Sequence, residues 1–357
     1  MSAARTVVDL DDTDGLLEAD RDGLLRAAAM AGAQVRATAA AVEEGVLEPI
    51  AGPRPRTVVW LAGRGPAEVA GAMLAAVLAQ AAGEPLVLAA DSLPWLGPLD
   101  VLIVAGDDPG DPALVSAAAT AVRRGARVVV AAPFEGPLRD ATAGRAVVLA
   151  PRLRVPEEFG LSRYLAAGLA TLAAVDPGAF APDLAALADE LDAEALRNSV
   201  GREVFTNPAK LLAERMSGRP VVLAGDCPAT CALARHAGAV LLRVAGRPVA
   251  ATGLADAVAA LRRGDAAGPA DPVDALFHDE QIDGPLPTRP RVLALALDAE
   301  RQVVAARTAG TDVDLVGVED VGEAGSVPAG NAGAEQQLAT LAVRLEMAAV
   351  YLSLTGG

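Results

Sequence analysis

Short runs of apolar, mostly β-branched residues alternate with alanine- and leucine-rich stretches through the first 150 residues. The stretches at 68–82 and 112–124 have the length and composition of helices. Strands that are apolar throughout and alternate with helices are typical of a parallel sheet with both faces covered. The predicted strands are 57–63, 85–90, 100–106, 127–132 and 146–150.

A second series of the same kind follows a helical region. Residues 162–196 predict helices, as do residues 10–48 before the first strand. A helix and a strand at 208–225 begin the new series, which resumes with strands at 291–297 and 314–318. Two strand–helix series on either side of a helical region indicate two separate sheets.

We therefore predict an α/β protein with two doubly wound, flavodoxin-like parallel-sheet domains. The first covers residues 1–160 with its leading helices, a helical bridge covers 161–200, and the second domain covers 201–357. Residues 264–290 are rich in Pro, Gly and Asp, so they predict the longest loop.

Apolar residues repeat at helical spacing near the end of the chain and predict a long last helix. Such a stripe packs either into the core or against a second subunit. Its members are Leu338, Leu341, Leu345, Ala348 and Leu352.

Acidic residues outnumber basic ones by 46 to 30, which gives the 357-residue chain a net charge of −16. Such a surface repels a phosphate backbone and no basic stripe interrupts it, so nucleic acid is excluded as a partner. The N-terminus is acidic where a signal peptide is basic, and the most apolar window, 69–90, is interrupted by Gln80, Gly83, Glu84 and Pro85. We expect a cytoplasmic protein with no membrane association.

The two cysteines, Cys227 and Cys231, are four residues apart in CPATC. They form no recognisable metal-ligand pattern with His236 or His278, so neither a metal nor another cofactor is predicted. In an intracellular protein we interpret them as reduced structural thiols, with a local disulfide as the alternative.

Loops that follow the strands are the candidate ligand sites, because open parallel sheets bind ligands beyond the carboxyl ends of their strands. The loop after the first strand contains Gly63, Arg64 and Gly65 but lacks the third glycine of a dinucleotide-binding loop. The loop after the third strand, DDPGDPA, begins with Asp107 and Asp108.

The order of several segments resembles the bifunctional phosphoglucose/phosphomannose isomerase family, whose domains are of the sugar-isomerase (SIS) type. GRGPAEVAGAML (63–74) is similar to the family's GMGGSAIGGDLL, and SLPWLGPLDVLIVAG (92–106) to its segment before the third strand. NPAKLLAERMSGRPVVLAG (207–225) is similar to the family's NPAK segment, and the similarity is collinear from about 58 to 354. The resemblance implies two SIS-type domains, a homodimer and a sugar-phosphate or related carbohydrate ligand.

The chain departs from the family at its phosphate loops. Where the family has S-Y-S-G-N-T-E, this chain has DDPGDPA, whose carboxylates accept hydrogen bonds but repel a dianion. The serines of the other two loops fall on Ala67 and near Ala132 and Pro133. The hydroxyls that donate to phosphate in the family are therefore absent.

The catalytic positions also differ. Aldose–ketose isomerisation needs a base that moves a proton between C1 and C2 and groups that open the ring. The family's Glu and His fall on Arg243 and Ala259, and the chain stops at YLSLTGG, before the family's lysine-bearing tail. Glu203, His236 or His278 are possible substitutes.

Each remaining candidate has a structural alternative. His278 fits an exposed loop histidine, and Lys210 fits the first turn of a helix capped by Asn207 and begun by Pro208. Arg163 and Arg235 could bind an anionic ligand or form surface ion pairs.

Three interpretations stay open. The first is a SIS protein that binds a sugar phosphate at a degenerate, weak or inactive site. The second is an active isomerase with relocated catalytic groups, and the third is a non-catalytic dimeric scaffold or regulator.

Overall fold

Two separate parallel sheets organise the chain, as the sequence predicts. The computed structural model describes residues 8–79, 82–91, 93–178, 181–267, 289–320 and 333–356. The first sheet has the order β2-β1-β3-β4-β5, which is the flavodoxin-like order, and the second has the order β7-β6-β8-β9. The strands are β1 (Thr57–Ala62), β2 (Leu86–Ala89), β3 (Asp100–Ala105), β4 (Arg127–Ala131), β5 (Val147–Val148), β6 (Val221–Gly225), β7 (Ala250–Gly253), β8 (Arg291–Leu295) and β9 (Val313–Val316).

Helices connect most successive strands and surround both sheets. Short 3₁₀ helices at Glu48–Ile50, Glu157–Phe159, Val204–Thr206 and Val318–Asp320 complete the described elements. The α-helices are α1 (Thr13–Ala19), α2 (Leu24–Ala28), α3 (Ala31–Glu43), α4 (Pro66–Leu78), α5 (Pro112–Arg123), α6 (Gly136–Thr142), α7 (Leu161–Val175), α8 (Leu184–Arg197), α9 (Pro208–Met216), α10 (Pro228–Ala245), α11 (Leu254–Ala267), α12 (Arg301–Thr308) and α13 (Ala334–Thr355).

Both faces of the first sheet are buried, which explains why its strands are apolar throughout. Successive side chains of a strand point to opposite faces, so Trp60 packs in the cluster that contains α4 and α7. Leu61 packs on the other side, in the cluster that contains α5 and α6. Gly71 and Gly168 allow the close fit around Trp60, because a Cβ at Gly71 would lie 2.3 Å from the indole Cδ1.

One buried cluster connects the two sheets. Helix α7 packs on α4, α4 packs on α10, and α10 packs on the strands of the second sheet. Helices α7 and α8 form within the predicted bridge of residues 161–200, but they pack into this shared core. The domain boundaries at 160 and 200 stay a prediction.

The last helix, α13, is the centre of the shared core. It packs against α10, α9 and α8, and all five residues of its apolar stripe are buried within the chain. By length and composition α13 resembles a membrane span, but 89% of its apolar window is buried inside the protein. The stripe is therefore core and not a subunit seam, so it gives the predicted homodimer no support.

A buried ion pair fastens α13 to α8. The guanidinium of Arg344 donates to both carboxylate oxygens of Glu194, at 2.7 and 3.2 Å, and also to the Gly317 and Val318 carbonyls. Burial by itself would raise the pKa of Glu194, but Arg344 and Arg197 outweigh it and lower that pKa. The charge of Glu194 is thus held deep in the core by two arginines.

The start of α9 has the structural role predicted for it. The Asn207 side chain accepts from the Lys210 amide at 3.0 Å, and Pro208 begins the helix. The buried Lys210 ammonium donates to the Val200 and Arg202 carbonyls, both at 2.8 Å. Lys210 therefore fixes the chain between α8 and α9.

Candidate functional site

Two adjoining cavities open at the carboxyl edge of the first sheet. The loops after β1 and β3 line one, with a volume of about 370 Å³, and the segment between β5 and α7 lines most of the other, with about 410 Å³. We call them the acidic cavity and the basic cavity. The acidic cavity is lined by Gly63, Arg64, Gly106, Asp107, Asp108, Pro109, Asp111, Leu114 and Glu157. The basic cavity is lined by Gln34, Asp107, Pro133, Pro151, Arg152, Leu153, Arg154, Val155, Pro156, Glu157, Gly160 and Arg163.

Two of the aspartates in the acidic cavity shape their own loop. Asp111 caps α5 by accepting from the Ala113 amide at 2.8 Å, and Asp108 accepts from the Gly110 amide at 2.8 Å. Short polar side chains are favoured in such positions because they satisfy backbone donors that the helix or turn leaves free. The aspartates of DDPGDPA thus stabilise their own loop. In doing so they accept hydrogen bonds from the Gly110 and Ala113 amides, which are then not free to donate to a phosphate.

The Gly63–Gly65 loop lies opposite these aspartates. Gly63 donates its amide to the Ala105 carbonyl at 2.9 Å, which joins the ends of β1 and β3. Gly65 has φ +73°, a conformation that L-residues rarely adopt, and a Cβ there would lie 3.1 Å from a carboxylate oxygen of Glu157. Glycine at position 65 therefore both permits the turn and leaves room for Glu157.

Asp107 joins the two cavities and is held by α7. Arg163 donates to Asp107 Oδ1 at 2.7 Å, and the Tyr164 hydroxyl donates to Asp107 Oδ2 at 2.7 Å. Burial raises the pKa of Tyr164 far above its usual range, so this hydroxyl keeps its proton. The carboxylate of Asp107 thus occupies donors that an external anion would otherwise use.

Glu157 is the other residue shared by both cavities. Its carboxylate pairs at 3.2 Å with Arg243, which reaches across from the last turn of α10 and also pairs with Glu158. The sequence alignment places the family's catalytic Glu on Arg243. The structure brings this arginine to the edge of the cavities, where it neutralises a carboxylate.

Gly63, Arg64, Asp107, Asp108 and Arg163 line the cavities. Gly65 adjoins them through Glu157, as described above.

The remaining sequence candidates lie elsewhere. Arg235 is exposed on α10 beside Cys231, and Glu203 is exposed before α9. Ala259 is exposed on α11, and His278 lies outside the described residues. None of the three described residues lines either cavity.

His236 is buried between α10 and α13. Its Nε2 lies 2.6 Å from Glu346 Oε1, and both side chains are only 2% exposed. Burial raises the pKa of Glu346, and its contact with His236 offsets only part of that effect. Neither His236 nor Glu346 lines the acidic or the basic cavity.

Among the described residues no cluster of His, Cys, Asp and Glu is arranged to hold a metal ion. Both cysteines are free thiols, which agrees with their interpretation as reduced structural residues. Cys227 caps α10 together with Thr230, and burial raises the pKa of Cys231.

Sequence reasoning missed the segment that forms the basic cavity. Arg152, Arg154 and Glu157 follow β5, which has only two residues, and the prediction treated this stretch as the end of a domain. The rule that ligands bind beyond the carboxyl ends of strands could have identified them.

Comparison with solved structures identifies this architecture. A protein classed as a phosphosugar isomerase from Clostridium difficile 630 has a TM-score of 0.60 at 11% identity, covering 94% of this chain and 93% of that one. The chain has the fold of the SIS-domain phosphosugar isomerases. No protein-family model and no curated protein sequence matches it.

Two further structures with this SIS fold cover almost the whole chain. Tagatose-6-phosphate ketose/aldose isomerase from Escherichia coli has a TM-score of 0.54 at 15% identity, covering 98% of this chain and 95% of its own. A glucose-6-phosphate isomerase-like protein from Thermus thermophilus has a TM-score of 0.51 at 18% identity, covering 97% and 93%. The chain therefore shares its two-sheet fold with these structures over almost its whole length.

Proposed function

We propose that this protein binds a phosphorylated sugar, or a related carbohydrate derivative, in the two adjoining cavities and does not isomerise it at a rate typical of enzymes. Several proteins with the same fold are named for sugar-phosphate substrates, which supports this ligand class. The cavities lie where open parallel sheets bind ligands, and their volumes suit a small molecule. Glucose 6-phosphate and fructose 6-phosphate are the first ligands to test, given the sequence resemblance.

One observation carries the proposal: each carboxylate described in the lining of the cavities already accepts a hydrogen bond or forms an ion pair within the protein. Asp107 is held by Arg163 and Tyr164, and Glu157 by Arg243. Asp108 and Asp111 accept backbone amides of their own loop. Donors held on a carboxylate favour its charged form and make it a weaker base. General acid–base catalysis is worth about 10²–10⁴-fold in rate.

Direct binding and turnover, measured on one preparation, test this proposal. Isothermal titration calorimetry with glucose 6-phosphate and with glucose should detect binding only of the phosphorylated sugar. A coupled isomerase assay with fructose 6-phosphate should detect turnover well below about 1 s⁻¹, the lower end of typical enzyme rates. Turnover of several per second, or equal binding of both sugars, would contradict the proposal.

One feature favours an active isomerase as the second candidate function. Glu157 lines both cavities, so it is the carboxylate best placed to meet a sugar that spans them. If wild-type turnover is found, the Glu157→Gln variant should lose about 10²–10⁴-fold of it, while Glu203→Gln should not, because Glu203 lies outside the cavities.

A further inference from the structure

The two cavities differ in the charge they offer to an anion. In the acidic cavity Arg64 faces four carboxylates, Asp107, Asp108, Asp111 and Glu157. In the basic cavity the described lining residues include three arginines and the two shared carboxylates. Like charges repel most strongly where water is partly excluded, so the anionic part of a ligand favours the basic cavity.

Arg163 lines the basic cavity, and one nitrogen of its guanidinium has no acceptor among the described residues. Its Nη2 donates to Asp107, but its Nη1 is buried without a hydrogen-bond partner among the described residues. Buried donors nearly always have a partner, so an orphaned guanidinium nitrogen is a reason to look for an absent acceptor. An anionic oxygen is the acceptor that a guanidinium binds most strongly.

Arg154 supplies a second free charge on the wall of the same cavity. It is exposed, and within the described ranges no ion pair or hydrogen bond engages its guanidinium. Arg152 differs, because it pairs with Glu44 through both terminal nitrogens. Arg154 is therefore the arginine that can turn toward a ligand without breaking an existing contact.

The start of α7 is a third feature that favours an anion in the basic cavity. Gly160 caps this 15-residue helix without a side-chain hydrogen bond, and Gly160 itself lines the basic cavity. The first amides of a helix are free donors and carry the positive end of its dipole. Anions bind readily at such a position when charged side chains are also present.

We propose that the phosphate of the ligand binds in the basic cavity, between Arg154, Arg163 and the start of α7, and not at the loops after β1 and β3. This inference rests on the proposed function, since it assigns the anionic end of the same ligand. It places the sugar ring toward Asp107 and Glu157, the residues shared by both cavities.

Calorimetry with glucose 6-phosphate on single-arginine variants tests the assignment. Arg154→Gln should weaken binding about tenfold, as expected for one charge-assisted hydrogen bond, and Arg154→Lys should restore part of it. Arg64→Gln, which removes the arginine found among the described lining residues of the acidic cavity, should change affinity less than about twofold. Arg235→Gln is the matched control, because Arg235 is an exposed arginine that lines neither cavity. These arginines are exposed, so each variant should fold.

Amide NMR with inorganic phosphate gives an independent readout. Phosphate should shift the amide signals of residues 160–163 and leave those of residues 63–65 unchanged. If Arg64→Gln weakens sugar-phosphate binding and Arg154→Gln does not, the phosphate assignment is wrong while the proposed function stands. If no phosphorylated sugar binds the wild-type protein, the proposed function itself fails.

Discussion

At the scale of single residues, Asp107 differs from the other aspartates of its loop in the side chains that hold it. The sequence indicates that Asp107 and Asp108 both repel a dianion. The structure distinguishes them, because Asp107 accepts hydrogen bonds from Arg163 and Tyr164, whereas the Asp108 side chain accepts the Gly110 amide of its own turn. Removing the charge of Asp107 therefore removes a repulsion of the anionic ligand and also frees Arg163.

We expect Asp107→Asn to strengthen binding of glucose 6-phosphate about tenfold or more, since it removes a like charge and frees Arg163. Asp108→Asn is the matched control, and its effect should be smaller because Asp108 holds no arginine. Calorimetry on both variants measures the difference. Equal effects would show that only the total charge of the loop matters. Neither variant should gain isomerase activity, because no base is added.

The buried pair of His236 and Glu346 gives the second residue-scale prediction. Replacing either residue alone by Leu should cost about 1–3 kcal/mol of unfolding free energy, because the polar atom of the partner stays buried without its hydrogen bond. The double variant His236→Leu/Glu346→Leu should recover much of that loss. Urea unfolding measures all four proteins. Sugar-phosphate binding should be unchanged in the double variant, and its loss would identify His236 as a ligand contact.

At the scale of secondary-structure elements, the apolar pattern predicted most strands and helices because each packs a complete apolar face. Strand β7 was missed, since Ala250–Gly253 is short and its residues are small and not fully buried. The long last helix was predicted from its stripe, but only the structure shows that α8, α9 and α10 surround it. The periodicity of a sequence indicates that one face of a helix is buried, but it does not identify the elements that pack against that face.

The contact between α8 and α13 predicts a specific dependence of stability on pH. The folded-state pKa of Glu194 is lowered from its ordinary value of 4.5, so its contribution is full above that pH and is lost as pH falls further. Burial raises the pKa of Glu346, so its contribution has the opposite sign and is lost as pH rises through its folded pKa.

Glu194→Gln should therefore cost about 3–5 kcal/mol at pH 7, because Arg344 loses its buried counter-charge. The loss should shrink below about pH 4.5, because the unfolded chain takes up a proton on Glu194 there while the lowered pKa keeps the folded-state carboxylate charged. Urea unfolding between pH 7 and pH 3 measures the difference. Glu190→Gln is the matched control, since Glu190 pairs with Arg197 nearer the surface and should cost only about 0–1 kcal/mol. A pH-independent loss in Glu194→Gln would contradict the assignment.

At the scale of the whole molecule, the chain has the two-sheet fold of the SIS-domain phosphosugar isomerases, and aspartates occupy one of the loops at the carboxyl edge of its first sheet. The sequence predicted the class of fold and the sheet edge at which the two candidate cavities open, because topology determines both. It could not predict that Arg243 from α10 meets Glu157, or that Arg163 meets Asp107, since these pairs join residues 86 and 56 positions apart. Such contacts depend on how the helices pack.

Proton NMR of fructose 6-phosphate in D₂O, with a stoichiometric amount of protein, tests the central claim most directly. Isomerisation moves a proton between C1 and C2 through a base that exchanges with solvent, so even slow turnover places deuterium on the sugar. We predict that the ligand signals broaden or shift, which reports binding, while no deuterium enters at C1 or C2. Deuterium incorporation, or signals identical to those of the free sugar phosphate, would contradict the account.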